Sequence, residues 1–179
     1  MTEKQQIEQM TVTGFLALYN KQMQTDYNVI SFAEEGEVPD ARCQDSDGKE
    51  LNIEVTMTED RPRDIQAMLG RSDHKSIESV TRQQERVGKG LEPIQYSTLN
   101  GNVLDQIVQR ISGKFLKQYG SSTALVVRDA SPLGWNWNLV REELLERLDL
   151  SNNPFDGGIW IVDYDKINLY QITGDKTRS

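Results

Sequence analysis

From Val38 to Met57 the chain spells a hairpin with costly content. Residues 49–57 alternate strictly, with Leu51, Ile53, Val55 and Met57 on one face and Asn52, Glu54 and Thr56 on the other, the period of a strand with one buried side. Asp45-Ser46-Asp47-Gly48 is a turn signal, and the preceding 37–43, Glu-Val-Pro-Asp-Ala-Arg-Cys, reads as the partner strand. With a run of β-formers at 27–33 the segment predicts a three-stranded meander. Such a fold must bury one face while holding two acids, Asp40 and Glu54, on adjoining strands. Facing carboxylates repel unless a base or cation lies between them. Lys49 cannot serve, because five extended residues place it roughly 16 Å from Glu54. A divalent metal would. A calcium loop over 45–56 is a poor fit, because its glycine stands fourth instead of sixth and Thr56 holds the place of the bidentate acid.

Around the meander the pattern is helical. Residues 3–21 carry Ile7, Met10, Gly14, Phe15, Leu18 and Tyr19 at helical spacing. Residues 103–119 carry a broader stripe of Leu104, Ile107, Val108, Ile111, Phe115, Leu116 and Tyr119, with Asn102 as the expected N-cap and Gly120-Ser121-Ser122 as the stop. A buried-type strand follows at 123–128, then a helix at 139–148 and a strand pair at 159–162 and 168–172. The order predicts an α/β fold in one domain over 1–179, a mixed central β-sheet flanked by helices. Residues 60–100 read as a basic, mobile insertion, with short polar helices at 64–69 and 76–87 before Gly88-Lys89-Gly90.

Cys43 and His74 are the lone cysteine and histidine of the 179 residues, which excludes an internal disulfide and the usual zinc sites. A metal here would need oxygen ligands, which favours magnesium, manganese or calcium. No run approaches the ~20 apolar residues of a membrane span, and Met-Thr-Glu-Lys-Gln-Gln begins no secretory leader; a cytoplasmic protein is expected. The net charge of −8 is unevenly spread. Residues 1–60 hold 13 acids and 4 bases, whereas 61–120 hold 6 acids and 10 bases. Arg61, Arg63, Arg71, Lys75, Arg82, Arg86 and Lys89 belong to that basic stretch. They form either a solvated helix face or an arm that tracks phosphates. Trp135 and Trp137 would share a face if extended, as core or as a stacking platform. Gly113-Lys114 lacks the glycine spacing and following hydroxyl of a phosphate loop, and His74 reads as a surface residue.

Pro39-Asp40 followed by Glu54-Val55-Thr56, in the order helix, three strands, helix, strand, resembles the PD-(D/E)XK, or restriction-endonuclease-like, nuclease superfamily across residues 3–130. The resemblance implies an αβββαβ core, extended here by a C-terminal helix and strand pair. It implies that Asp40 and Glu54 bind Mg2+ or Mn2+ with the Val55 carbonyl as a third ligand. An additional acid from the first helix would be Glu8, or more weakly Glu3. The chain departs from the motif at Thr56, where a lysine is expected. A threonine hydroxyl orients water but brings no charge; Lys114, with Arg110 one turn before it, is the candidate to supply one from the second helix. The implied function is metal-dependent cleavage of phosphodiester bonds in nucleic acid, DNA foremost, with a protein partner or a second copy of the chain left open. Two alternatives stand beside it: an inactive module of this fold that binds nucleic acid or a protein, and an acidic inhibitor that mimics DNA.

Overall fold

The computed structural model describes residues 2–34, 36–57, 101–129, 136–164 and 167–174. Its elements are helix α1 (Glu3–Met23), strands β1 (Asn28–Phe32), β2 (Ala41–Gln44) and β3 (Glu50–Met57), helix α2 (Gly101–Phe115), strand β4 (Thr123–Asp129), helix α3 (Trp137–Arg147), a 3-10 turn at Leu150–Asn152, and strands β5 (Ile159–Asp163) and β6 (Asn168–Gln171). They build an α/β fold on one six-stranded sheet whose strands lie in chain order. The first three run antiparallel, β3, β4 and β5 are parallel neighbours, and β6 returns antiparallel. The sheet is therefore mixed, as the element order predicts. The basic stretch 61–89 and Trp135 lie outside the described residues.

Local chemistry sets the ends of α1. Thr2 and Gln5 close a capping box, in which the Thr2 hydroxyl accepts the Gln5 N–H and the Gln5 amide oxygen accepts the Thr2 N–H at 2.7 Å. Gln24 turns left-handed at the other end. Asn20 then ties the helix to β1, accepting from Tyr27 N at 3.0 Å and donating to Tyr27 O at 2.9 Å. The buried face of α1 comprises Ile7, Thr11, Val12, Phe15, Leu16 and Tyr19. Met10, expected inside, is exposed, because the packed stripe runs through 12, 15, 16 and 19 and position 10 falls off it at 100° per residue.

Parity along the strands divides the core into two layers. Ala41, Cys43, Leu51, Ile53, Val55, Ala124, Val126, Trp160 and Val162 meet α1 on one face. Leu125, Val127, Ile159 and Ile161 meet Leu104, Ile107 and Ile111 of α2 and Trp137, Val140 and Leu144 of α3 on the other. β4 and β5 are covered on both sides, which explains their unbroken apolar runs. Trp137 opens α3 as a core residue, so it is neither extended nor a surface platform. Asn102 lies inside α2, and the helix stops at Phe115, leaving Tyr119 beyond its end. Among the described residues no helix is long and apolar enough to cross a membrane.

Strand β2 begins later than the alternation suggests. Ala41 pairs with Ile53, and Val38–Asp40 form a bent approach to the strand. Continuing that register two residues would set Val55 opposite Pro39, which has no amide hydrogen to give. Pairing therefore stops short of Asp40.

The parallel core also needs a close backbone approach at Gly157. Its N–H donates to Thr123 O at 2.9 Å, and a Cβ there would lie 2.9 Å from Ala124 N and Thr123 C. Both obstacles are backbone and cannot rotate away. Gly157→Ala should cost about 1–3 kcal/mol through overpacking, read as a lower urea midpoint at unchanged m-value; an unaltered midpoint would show that the two strands can part cheaply.

Candidate functional site

Glu54 lies on the α2 face of β3, since the apolar residues 51, 53 and 55 take the α1 face. It is 1% exposed, so it is not a solvated acid on a polar sheet face. A buried carboxylate requires a partner, and α2 delivers it. Ile107 and Ile111 lie on the buried stripe of that helix, and Lys114 is the next position along it. From there its Nζ reaches Glu54 Oε1 at 2.7 Å. Lys117, one turn further, stands 4.0 Å from the same oxygen and is half exposed. The Tyr119 hydroxyl donates to it as well, at 3.2 Å. Three donor groups thus crowd Oε1, while Oε2 is buried with no hydrogen-bond partner among the described residues. Arg110 is placed differently: its guanidinium donates to the Met57 carbonyl at the end of β3.

Asp40 reaches the same place from the bend before β2. Its backbone carbonyl accepts the Ala33 N–H at 3.0 Å, and its Oδ2 accepts the Val55 N–H at 2.7 Å. The amide that β2 leaves unpaired is satisfied by the side chain next to Pro39. Along β3 the Asn52 N–H points to β4, donating to Ser122 O at 2.8 Å. Odd-numbered positions therefore turn their N–H and C=O the other way, and the Val55 carbonyl faces the side from which Asp40 approaches.

Burial, and next the charge of Glu54, push the Asp40 carboxyl from 3.8 up to about 6; Glu8 adds to the rise, while the Val55 N–H and Lys114 oppose it. Burial, followed by the Glu54 charge, raises the Tyr119 phenol far enough that it stays protonated as a donor at neutral pH. Cys43 points into the α1 layer, where burial pushes its thiol up to about 12, so it takes no part.

Asp40, Glu54, Lys114, Lys117 and Glu8 line one cleft, closed by the first turns of α1 and by the 32–38 segment. Glu8 is ion-paired to Lys4 at 3.3 Å. The cleft has a volume of ≈ 70 Å³, several times the ~10–15 Å³ that one water needs. With Glu34 and Glu37, the described residues of the lining include five carboxylates and three lysines, an acidic excess. Thr56 follows Glu54 on the same face but does not line the cleft, and neither does Glu3. Tyr119 and Lys117 were not singled out by the motif reading, although both follow Lys114 within one to two turns.

The donor set can be weighed for a hard cation. No group of three or more His, Cys, Asp or Glu side chains among the described residues could hold a metal ion. Two carboxylates are present, one with a bare buried oxygen, and a backbone carbonyl faces their side. Magnesium is commonly bound by one or two carboxylates with waters and substrate phosphate completing the shell. The residues fit such an ion and do not form a dedicated protein cage. No protein-family model, no curated protein and no solved structure matches the chain.

The raised Asp40 carboxyl has a consequence for stability. Its folded value lies above its unfolded one, so its favourable contribution is complete below pH ~4 and is lost as pH rises through about 6. Asp40→Asn should match the wild type at pH 4 and exceed it by about 1–2 kcal/mol at pH 7, after discounting for partial exposure. Urea midpoints across that interval test this; parallel curves would mean that Asp40 ionises without penalty.

Proposed function

We propose that this chain is a metal-dependent nuclease of the PD-(D/E)XK type that cleaves phosphodiester bonds in nucleic acid, DNA foremost. The observation that carries the reading is the convergence of Asp40, Glu54 and Lys114 in one cleft from three elements far apart in sequence. The succession of a helix, an antiparallel meander, a helix and a parallel strand supports it further. Asp40 and Glu54 would hold Mg2+ or Mn2+ with the Val55 carbonyl. Such an ion, when bound, supplies Lewis acidity that lowers the pKa of a bound water and neutralises phosphate charge.

The chain's own residues do the rest. Glu54 and Asp40 bring negative charge to the cleft, and the Val55 N–H fixes the direction in which Asp40 points. Lys114 takes the place of the basic group missing at position 56. Its ammonium is held against Glu54 by charge and lies where it can bind a non-bridging phosphate oxygen as charge develops there. Lys4 and Lys117, both well exposed, offer screened contacts to flanking phosphates. The basic stretch Arg61–Lys89 would extend that backbone grip.

A second reading is favoured by one observation. Lys114 already neutralises Glu54 without any metal, as it would in an inactive module of this fold that binds nucleic acid or a protein. The two readings part in one assay. The full chain with Mn2+ and plasmid or single-stranded DNA should cut. Glu54→Gln should abolish cutting, Lys114→Met should lower it by about 10²–10³-fold, and Thr56→Val should leave it within a few-fold. Cleavage that survives Glu54→Gln refutes the assignment, and DNA binding without metal uptake or cutting establishes the inactive module.

A further inference from the structure

Resting on the metal reading of Asp40 and Glu54, we infer that Tyr119 is a positioning residue: its hydroxyl, with Lys114, occupies Glu54 Oε1 and turns Oε2 toward the ion.

Glu54 could in principle present either oxygen to the cleft. A carboxylate rotates about its last torsion across a broad, roughly two-fold profile, so burial alone does not select one. The donors do. The Lys114 ammonium at 2.7 Å and the Tyr119 hydroxyl at 3.2 Å both address Oε1, leaving Oε2 without a partner among the described residues. Lys114 is a flexible chain whose ammonium can swing to a phosphate. Tyr119 is a ring with two torsions, and its surroundings hold it.

That hold is visible on both sides of the residue. The Tyr119 ring packs on Phe155 with centroids 4.7 Å apart, and Phe155 is also flanked by Phe115 at 6.0 Å. Phe155 is itself fully buried. The chain just after Tyr119 is pinned by Asp156, whose carboxylate accepts the Ser122 and Thr123 N–H groups at 2.9 and 2.8 Å. Asn52, two residues before Glu54 on the same face, donates its side-chain amide to Ser121 O at 3.1 Å. The segment bearing Tyr119 is thus fastened to the strand that bears Glu54. When Lys114 leaves Oε1 for substrate, the phenol remains to keep the carboxylate in register. Groups in this role commonly change metal affinity by about 10–100-fold on mutation.

Tyr119→Phe removes the hydroxyl and keeps the ring against Phe155. In the full-length protein, Mn2+ titrated by calorimetry should bind about 10-fold more weakly to Tyr119→Phe than to wild type, with the thermal midpoint little changed. Cleavage should recover toward the wild-type rate at saturating Mn2+, a split that a loss of folding would not give. Phe155→Leu, which loosens the ring while leaving the hydroxyl, should weaken Mn2+ binding in the same direction. Equal Mn2+ affinity in wild type and Tyr119→Phe overturns this inference and leaves the Asp40–Glu54 site standing. A wild type that takes up no Mn2+ overturns both.

Discussion

The ion pair between Glu54 and Lys114 is the constraint around which the rest of the site is arranged. A carboxylate at 1% exposure on a strand face needs a cationic partner, because a buried charge without one is strongly destabilising. The partner comes from α2, whose Lys114 reaches the carboxylate at 2.7 Å; Arg42 on β2, opposite Asn52, is exposed. Helix α2 reaches the correct depth only because Leu104, Ile107 and Ile111 seat it on Leu125 and Val127. The hydrophobic layer thus sets where the ammonium arrives, and the electrostatics of the cleft follow from ordinary packing.

Buried ion pairs are poor stabilisers compared with apolar side chains of similar volume. Here the pair is joined by a second acid whose carboxyl is pushed up to about 6, and by a glutamate oxygen with no hydrogen-bond partner among the described residues. Each of these features opposes folding. A set of groups that breaks local rules together, inside a cleft, marks a site built for a ligand. Among the described residues the lining carries more carboxylates than ammoniums, an imbalance in keeping with the cation of the proposed reading.

Much of this architecture is legible in the chain because the pleat has a period of two. Leu51, Ile53 and Val55 against Asn52, Glu54 and Thr56 reveal the faces of β3 without any structure, and the unbroken runs in β4 and β5 reveal strands covered on both sides. The stripe of α2 likewise puts Lys114 on a buried face, where a lysine is conspicuous. Other features depend on tertiary neighbours and leave no local mark. The late start of β2 follows from Pro39 meeting Val55 across the sheet, a register that no single strand encodes. Met10 is apolar and near the stripe, yet which 100° of α1 faces the sheet is decided by Phe15 and Tyr19 packing on Trp160. Tyr119 falls at a helix end, and only the fold of 119–123 against Asn52 and Asp156 brings its hydroxyl to Glu54.

The substitution at position 56 illustrates the difference between a motif and a site. A lysine there would rise from the same strand face as Glu54, roughly 7 Å further along, and would reach the acids from within β3. In this chain the strand keeps a hydroxyl and the charge enters from α2, one helical stripe position beyond Ile111. Both routes end at a cation beside the same carboxylate; on the proposed reading the chemistry needs an ammonium near developing phosphate charge, whatever backbone carries it. The helical route has a further physical effect. An ammonium on α2 that is paired to Oε1 leaves Oε2 without a hydrogen-bond partner among the described residues, the oxygen that the proposed metal would use.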